Sequence, residues 1–262
     1  MEFTFTPALS FSGLIVGILV GLTGVGGGSL MTPILVLLFG FKPATAVGTD
    51  LLYAAITKSG GTWMHHRHDN IDWRITGRLA LGSVPAAALA LTVLYYLGME
   101  NHSTNRIILN VLGVALLLTA SSLIFRQRLL AFARAHIGQT MSSRHTAGMT
   151  VVVGAIIGAL VALTSVGAGA LGVTALLFLY PQLEMRRVVG SDIAHAVPLT
   201  LVAGMGHWWL GSVDIPLLLN LLLGSLPGII VGSHFAARVP ERRLRSLLAV
   251  MLMLVGGKLI FA

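Results

Sequence analysis

Apolar runs close to 20 residues long recur through this 262-residue chain, and that is the length needed to cross the hydrocarbon core of a bilayer. Only 10% of the residues are charged and 55% are hydrophobic, whereas a soluble domain carries about 25% charged residues. The chain reads as a polytopic membrane protein in contact with the lipid bilayer. The first run, residues 8–40, is broken at Leu22-Thr-Gly-Val-Gly-Gly-Gly-Ser-Leu30. Each glycine costs a helix roughly 1 kcal/mol against alanine, so three in succession, with a fourth two places earlier, open the helix. In lipid an open backbone survives only where protein or water satisfies its N–H and C=O groups. Gly24 to Gly28 are therefore expected to line a cavity between two short helices.

Further helices are expected from Pro43, a residue favoured at the first helical position, to about Met64, then over 73–97 and 106–125. The polar stretch from Arg126 follows, then a second broken run over 148–180 and helices at 185–209, 215–236 and 243–261. The second part repeats the first. Leu163-Thr-Ser-Val-Gly-Ala-Gly-Ala-Leu171 is a degraded copy of the glycine motif. Val47-Gly-Thr-Asp50 answers to Val189-Gly-Ser-Asp192, Asp72 to Asp214, and Leu81-Gly-Ser-Val-Pro85 to Leu223-Gly-Ser-Leu-Pro227. The division is a first repeat over 1–125, a basic linker over 126–147 and a second repeat over 148–262.

Loop charges choose the topology. If each broken run is a re-entrant hairpin, each half has three true spans and the halves are inverted. Only Lys42, Arg106 and Lys258 then face one side. The other loop cations, including Arg126, Arg128, Arg134 and Arg144 of the linker, share the opposite side. Crossing hairpins would instead divide the cations evenly. Positive residues prefer the cytoplasmic side, so the expected fold is all-α, two inverted repeats of hairpin plus three transmembrane helices, with a cytoplasmic linker and both termini periplasmic. Inverted repeats with discontinuous helices meeting near the midplane are a recurring transporter plan. The net charge of +8 is a topology signal and implies no nucleic acid. No cysteine is present, which excludes disulfides and Cys-based metal sites. The N-terminus lacks a basic n-region, so a cleaved signal peptide is not expected.

A Gly-rich broken segment, V-G-[ST]-D in the next helix and L-G-S-x-P in the third, repeated once, resembles the sulfite exporter TauE/SafE family of membrane transporters. The resemblance implies a bacterial inner-membrane permease for sulfite, sulfonates or sulfoacetate, usually exporting, without a cofactor. In the second motif Ser165 and Ala168 stand where Gly24 and Gly27 stand in the first.

The candidate substrate-binding residues are the hairpin tips, Thr23, Gly24, Gly26, Gly27, Gly28 and Ser29 with Thr164, Ser165, Gly167 and Gly169. A second arm starting at each tip would aim free N–H groups and a positive dipole end at an oxyanion; alternatively, the glycines serve close helix packing. Lys58 lies mid-helix, where a charge faces a cavity or a partner. It reads either as a counter-charge for the anion or as a bundle-holding pair. Its repeat counterpart is Thr200. Asp50 and Asp192 lie two turns into their helices, and His195 follows Asp192 by three residues on the same face. They read as proton-coupling groups or as structural polar groups. His65, His66 and His68 read as a solvated helix end, with no metal site. Pro85 and Pro227 kink their helices, as hinges or as shapers of a cavity.

The chain carries no GxxxxGK[ST], HExxH or GxSxG pattern, so a gradient-driven transporter is favoured over an ATPase or an enzyme. Uptake of thiosulfate or sulfate-like anions and a passive anion channel are the alternatives. A reporter fused after Ala262 should read out as periplasmic and one in the linker as cytoplasmic; both on one side would contradict the inverted topology.

Overall fold

The computed structural model describes residues 5–23, 28–98, 101–136, 143–235 and 241–261. Ten helices are found among them: α1 (Pro7–Thr23), α2 (Gly28–Leu37), α3 (Pro43–Arg67), α4 (Trp73–Leu97), α5 (His102–His136), α6 (Ser143–Thr164), α7 (Ala170–Leu179), α8 (Met185–Trp209), α9 (Ile215–Phe235) and α10 (Glu241–Phe261). The expected all-α polytopic class is found. Helices α4, α5, α6, α8, α9 and α10 are long and apolar enough to cross a membrane. The sequence reading had α3 in that set and α6 in a hairpin. Helix α3 is as long as α4, but Thr49, Asp50 and Lys58 on its buried side lower its hydropathy. Helix α6 has 22 residues, about 33 Å at 1.5 Å per residue. Helix α5 runs on to His136, and α6 begins at Ser143, so helix occupies part of the stretch read as a linker.

The boundaries follow from local chemistry. Helix α1 stops at Thr23 and α2 starts at Gly28, on either side of the glycine run. Pro43 opens α3 and Asp72 caps α4, its carboxylate accepting the N–H groups of Arg74 and Ile75. Asp214 accepts from Leu217 N–H at the start of α9 in the same way. Such caps are worth about 1 kcal/mol each. Gly98 ends α4 with φ of 78°, in the left-handed region where a Cβ is penalised.

Close helix contacts hold the bundle. Gly13, Gly17 and Gly21 of α1 lie against the backbone of Leu221, Ser225 and Ile229 of α9. Gly154 and Gly158 of α6 lie against Leu79 and Ser83 of α4. Residue numbers rise together in both pairs, so the helices of each pair run parallel. Gly48 of α3 meets His207 and Ser212, whereas Gly190 of α8 meets His65 and Asn70, so α3 and α8 cross antiparallel. Glycine at such crossings lets backbones approach where any side chain would hold them apart, which drives packing in lipid.

These contacts come in reciprocal pairs. Asp72 N–H donates to Ser191 Oγ at 2.8 Å, and Asp214 N–H donates to Thr49 Oγ1 at 3.0 Å. Each residue of the second bond is the repeat counterpart of one in the first. The α1–α9 and α4–α6 packings correspond in the same way.

Large apolar side chains are exposed along the outer helices, among them Leu81, Ile230 and Leu254. Exposed Trp63 and Trp73 mark one end of α3 and α4; Tyr95, Tyr96, Trp208 and Trp209 mark the other end of α4 and of α8. Trp73 and Tyr95 are separated by about 33 Å along the helix, close to a bilayer core flanked by aromatic belts.

Replacing Gly158 by alanine puts a Cβ onto the Ser83 carbonyl, whereas at Gly77 nothing lies within 4 Å of that position. Gly158→Ala should destabilise the protein by about 1–3 kcal/mol and Gly77→Ala should not. Thermal unfolding in detergent measures this, and equal stabilities would contradict the packing.

Candidate functional site

Four ionisable side chains lie at the crossing of α3 and α8, and none reaches the surface. Asp50 and His195 are 0% exposed, Asp192 1% and Lys58 7%. Burial of this kind is expensive unless partners are supplied, and those found come from α2, α4 and the turn between α6 and α7.

The Lys58 amine donates to the carbonyl oxygen of Ala168 at 3.0 Å. It lies within electrostatic reach of both aspartates, Asp192 more strongly than Asp50, yet makes no direct ion pair among the described residues. Ala168 belongs to the turn between α6 and α7, where Ser165, Gly167 and Gly169 take φ of 59°, 120° and 137°. That conformation turns the chain between the two helices. It also leaves the first amides of α7 free: Gly172 and Val173 donate to Gly167 and Gly169 carbonyls, while Ala170 and Leu171 N–H have no hydrogen bond among the described residues. Such orphan donors at a helix start carry the positive end of the dipole.

The remaining tip residues divide. Thr164 is committed to its own turn, its hydroxyl donating to Leu160 O at 2.7 Å and accepting from Val166 N–H at 3.1 Å. Ser165 is buried, and its hydroxyl faces Asp50 without making a hydrogen bond of good geometry. Gly24, Gly26 and Gly27 lie outside the described residues. Thr23 ends α1, and Gly28 and Ser29 open α2.

The two aspartates differ. Asp50 Oδ2 accepts the Thr32 hydroxyl of α2, and its Oδ1 has no partner among the described residues. Neither oxygen of Asp192 has a partner among the described residues. Its Oδ1 rests against the α-carbon of Gly172 in α7, where a Cβ would collide with it. The expected pairing of His195 with Asp192 is not formed. His195 Nε2 instead meets Ser83 Oγ of α4 at 2.7 Å, and its Nδ1 has no partner among the described residues.

Ser83, Thr32, Tyr53 and Ala168 were not among the sequence candidates. Two carried a legible signal. Tyr53 is the repeat counterpart of His195, Ser225 that of Ser83, and the Tyr53 hydroxyl faces Ser225. The histidines at the end of α3 point to separate partners: His65 lies against Gly190, His66 packs edge-on to Trp73, and His68 Nδ1 meets Met64 O. His207, their counterpart on α8, is held by Ser212 Oγ and Ala162 O, both at 2.9 Å.

Apolar helices of bilayer length closing over a charged centre define a polytopic membrane protein with a polar site at its heart. The family model described as "Sulfite exporter TauE/SafE" matches residues 9–259, and the chain belongs to that family. It is similar to the probable membrane transporter protein YjnA of Bacillus subtilis, 42% identical over 95% of this chain and 97% of that one. Probable membrane transporter protein YdhB of the same organism is 28% identical over 94% of this chain and 97% of its own length. Probable membrane transporter protein MJ0441 of Methanocaldococcus jannaschii is 26% identical over 98% and 97%. No solved structure matches the chain.

The Ser83–His195 bond is a buried tie between α4 and α8. A double-mutant cycle over Ser83→Ala and His195→Gln should show a coupling of about 1–2 kcal/mol in unfolding free energy. Additive losses would contradict the bond.

Proposed function

We propose that the protein is a secondary transporter of small sulfur-containing anions such as sulfite, sulfonates or sulfoacetate, held at the bilayer midplane between the two hairpin tips. The observation that carries this reading is the Lys58 amine, buried and bonded to Ala168 O in the turn before the first amides of α7, which have no partner among the described residues. A fixed cation with helix-start N–H groups is the donor set an oxyanion needs. Within this reading Ser165 and the backbone from Gly167 to Gly169 contact the anion, Thr164 shapes the turn, and Thr23 to Ser29 contribute from the first hairpin. The family description supports sulfite-like cargo and export.

Helix directions support the inverted plan. Helix α1 runs parallel to α9, which the short turns after α3 and α8 set parallel to α3. The five residues from 38 to 42 are too few to recross a bilayer, at no more than about 3.6 Å each. We therefore read α2 as running back toward the side from which α1 starts. Helix α2 has 10 residues, about 15 Å, half the core. Helix α6 runs with α4 and α8, opposite to its counterpart α1, and the 10-residue α7 returns half-way. We read the halves as 1–125 and 148–262, in an inner membrane, with both termini periplasmic.

Counterflow in proteoliposomes tests the proposal. Sulfite or a two-carbon sulfonate loaded inside should drive saturable entry of labelled substrate, and Lys58→Ala should reduce it at least tenfold. Absence of exchange with any sulfur oxyanion, from folded protein, would overturn the substrate class. Flux without saturation or counterflow would indicate a channel.

A further inference from the structure

The centre described above holds two carboxylates and one ammonium. With all three ionised it is negative by one charge, before any substrate arrives. A second negative charge entering a dry, low-dielectric site meets strong repulsion, which Lys58 alone does not cancel. One carboxylate has to be neutral when an anion sits beside Lys58.

Geometry separates the two carboxylates. Asp50 has the Thr32 hydroxyl on Oδ2 and Ser165 close by, donors that favour an ionised carboxylate. Asp192 has no donor on either oxygen among the described residues and lies against the Gly172 α-carbon. The groups facing it can be named element by element. Helix α3 presents Lys58, which Asp50 of the same helix also faces. Helix α7 contains no titratable residue. On α4, Ser83 is engaged with His195 and Thr76 with the Ser191 carbonyl, and the titratable residues of α6, Arg144 and His145, lie in its first turn. His195 on the same helix is turned away to Ser83. Two buried, unpartnered oxygens with a single cation in reach need a proton once that cation is shared with a substrate anion.

We propose that an anion binds at Lys58 together with a proton on the Asp192 carboxylate, so that anion and proton cross the membrane together. The inference rests on the anion-carrier reading above and names its coupling. The proton is taken from water on the side where the anion enters and is returned to water on the side where the anion leaves. Transport of a monovalent anion is then electroneutral. A pH gradient pushes the anion toward the alkaline side, and export against an acid exterior requires an internal excess of the anion.

The test uses ethanesulfonate, a monovalent strong-acid anion that does not itself titrate. In proteoliposomes with an alkaline lumen, the wild-type protein should accumulate it about tenfold per pH unit. A dye in the lumen should report one proton per anion, and an imposed membrane potential should change nothing. Asp192→Asn should keep counterflow exchange but lose pH-driven accumulation, to a ratio near one. Asp192→Glu should retain accumulation. Anion entry in the wild type without luminal acidification would overturn the proposal without needing any variant. Accumulation by Asp192→Asn at the wild-type level would overturn it too. Wild-type protein that shows no counterflow would instead fail at the carrier reading, and the coupling would fall with it.

Discussion

A lysine buried at the level of the bilayer must find its partners inside the protein, and the structure is arranged around that requirement. The amine of Lys58, from the first half of the sequence, is met by the Ala168 carbonyl of the second hairpin. A carbonyl is available there because the α6–α7 turn leaves its backbone outside any helix. The glycines that open the turn are tolerated in lipid only because side chains such as Lys58 and Thr164 satisfy what they expose. The break in the helix and the buried charge are thus two sides of one solution.

The surrounding bundle keeps this centre closed by close approach more than by bulk. Gly13, Gly17 and Gly21 of α1 against α9, and Gly154 and Gly158 of α6 against α4, bring backbones together along both helix pairs. Between them, reciprocal hydrogen bonds tie each half to the start of a helix in the other, Asp72 to Ser191 and Asp214 to Thr49. The reciprocity makes the unequal places stand out. Lys58 has Thr200 as its counterpart, and Thr200 returns its hydroxyl to Ala196 O. Among the described residues, Asp50 has a hydroxyl on it and Asp192 has none. The pseudo-equivalent halves have been made chemically different at the site, where a substrate would need to be held.

Much of the fold was legible because its signals are local or repeated. Glycine cost placed the helix breaks, and the capping residues Asp72 and Asp214 were visible as a matched pair. The roles inside the motifs were not legible. In V-G-[ST]-D the glycine permits the α3–α8 crossing, the hydroxyl receives a distant N–H and only the aspartate belongs to the centre. Spacing along α8 put His195 beside Asp192, but a single helix cannot show that α4 offers Ser83 instead. Thr164 looked like a substrate donor because its type is right; its bonds to Leu160 and Val166 depend on a turn that residue type alone does not reveal. Hydropathy ranked α3 among the spans by length, and the cost of its own polar residues removed it from that set.

The central claim is that an anion binds at the Lys58 amine beside the α6–α7 turn. The chain has no cysteine, so Ser165→Cys introduces a single thiol in that turn, facing Asp50, in a clean background. The rate at which a small charged thiol reagent modifies it, measured across ethanesulfonate concentrations, tests occupancy directly. Saturable protection, lost in Lys58→Ala, is the result the account predicts. A modification rate indifferent to sulfur oxyanions, in protein that still transports them, would place the substrate elsewhere.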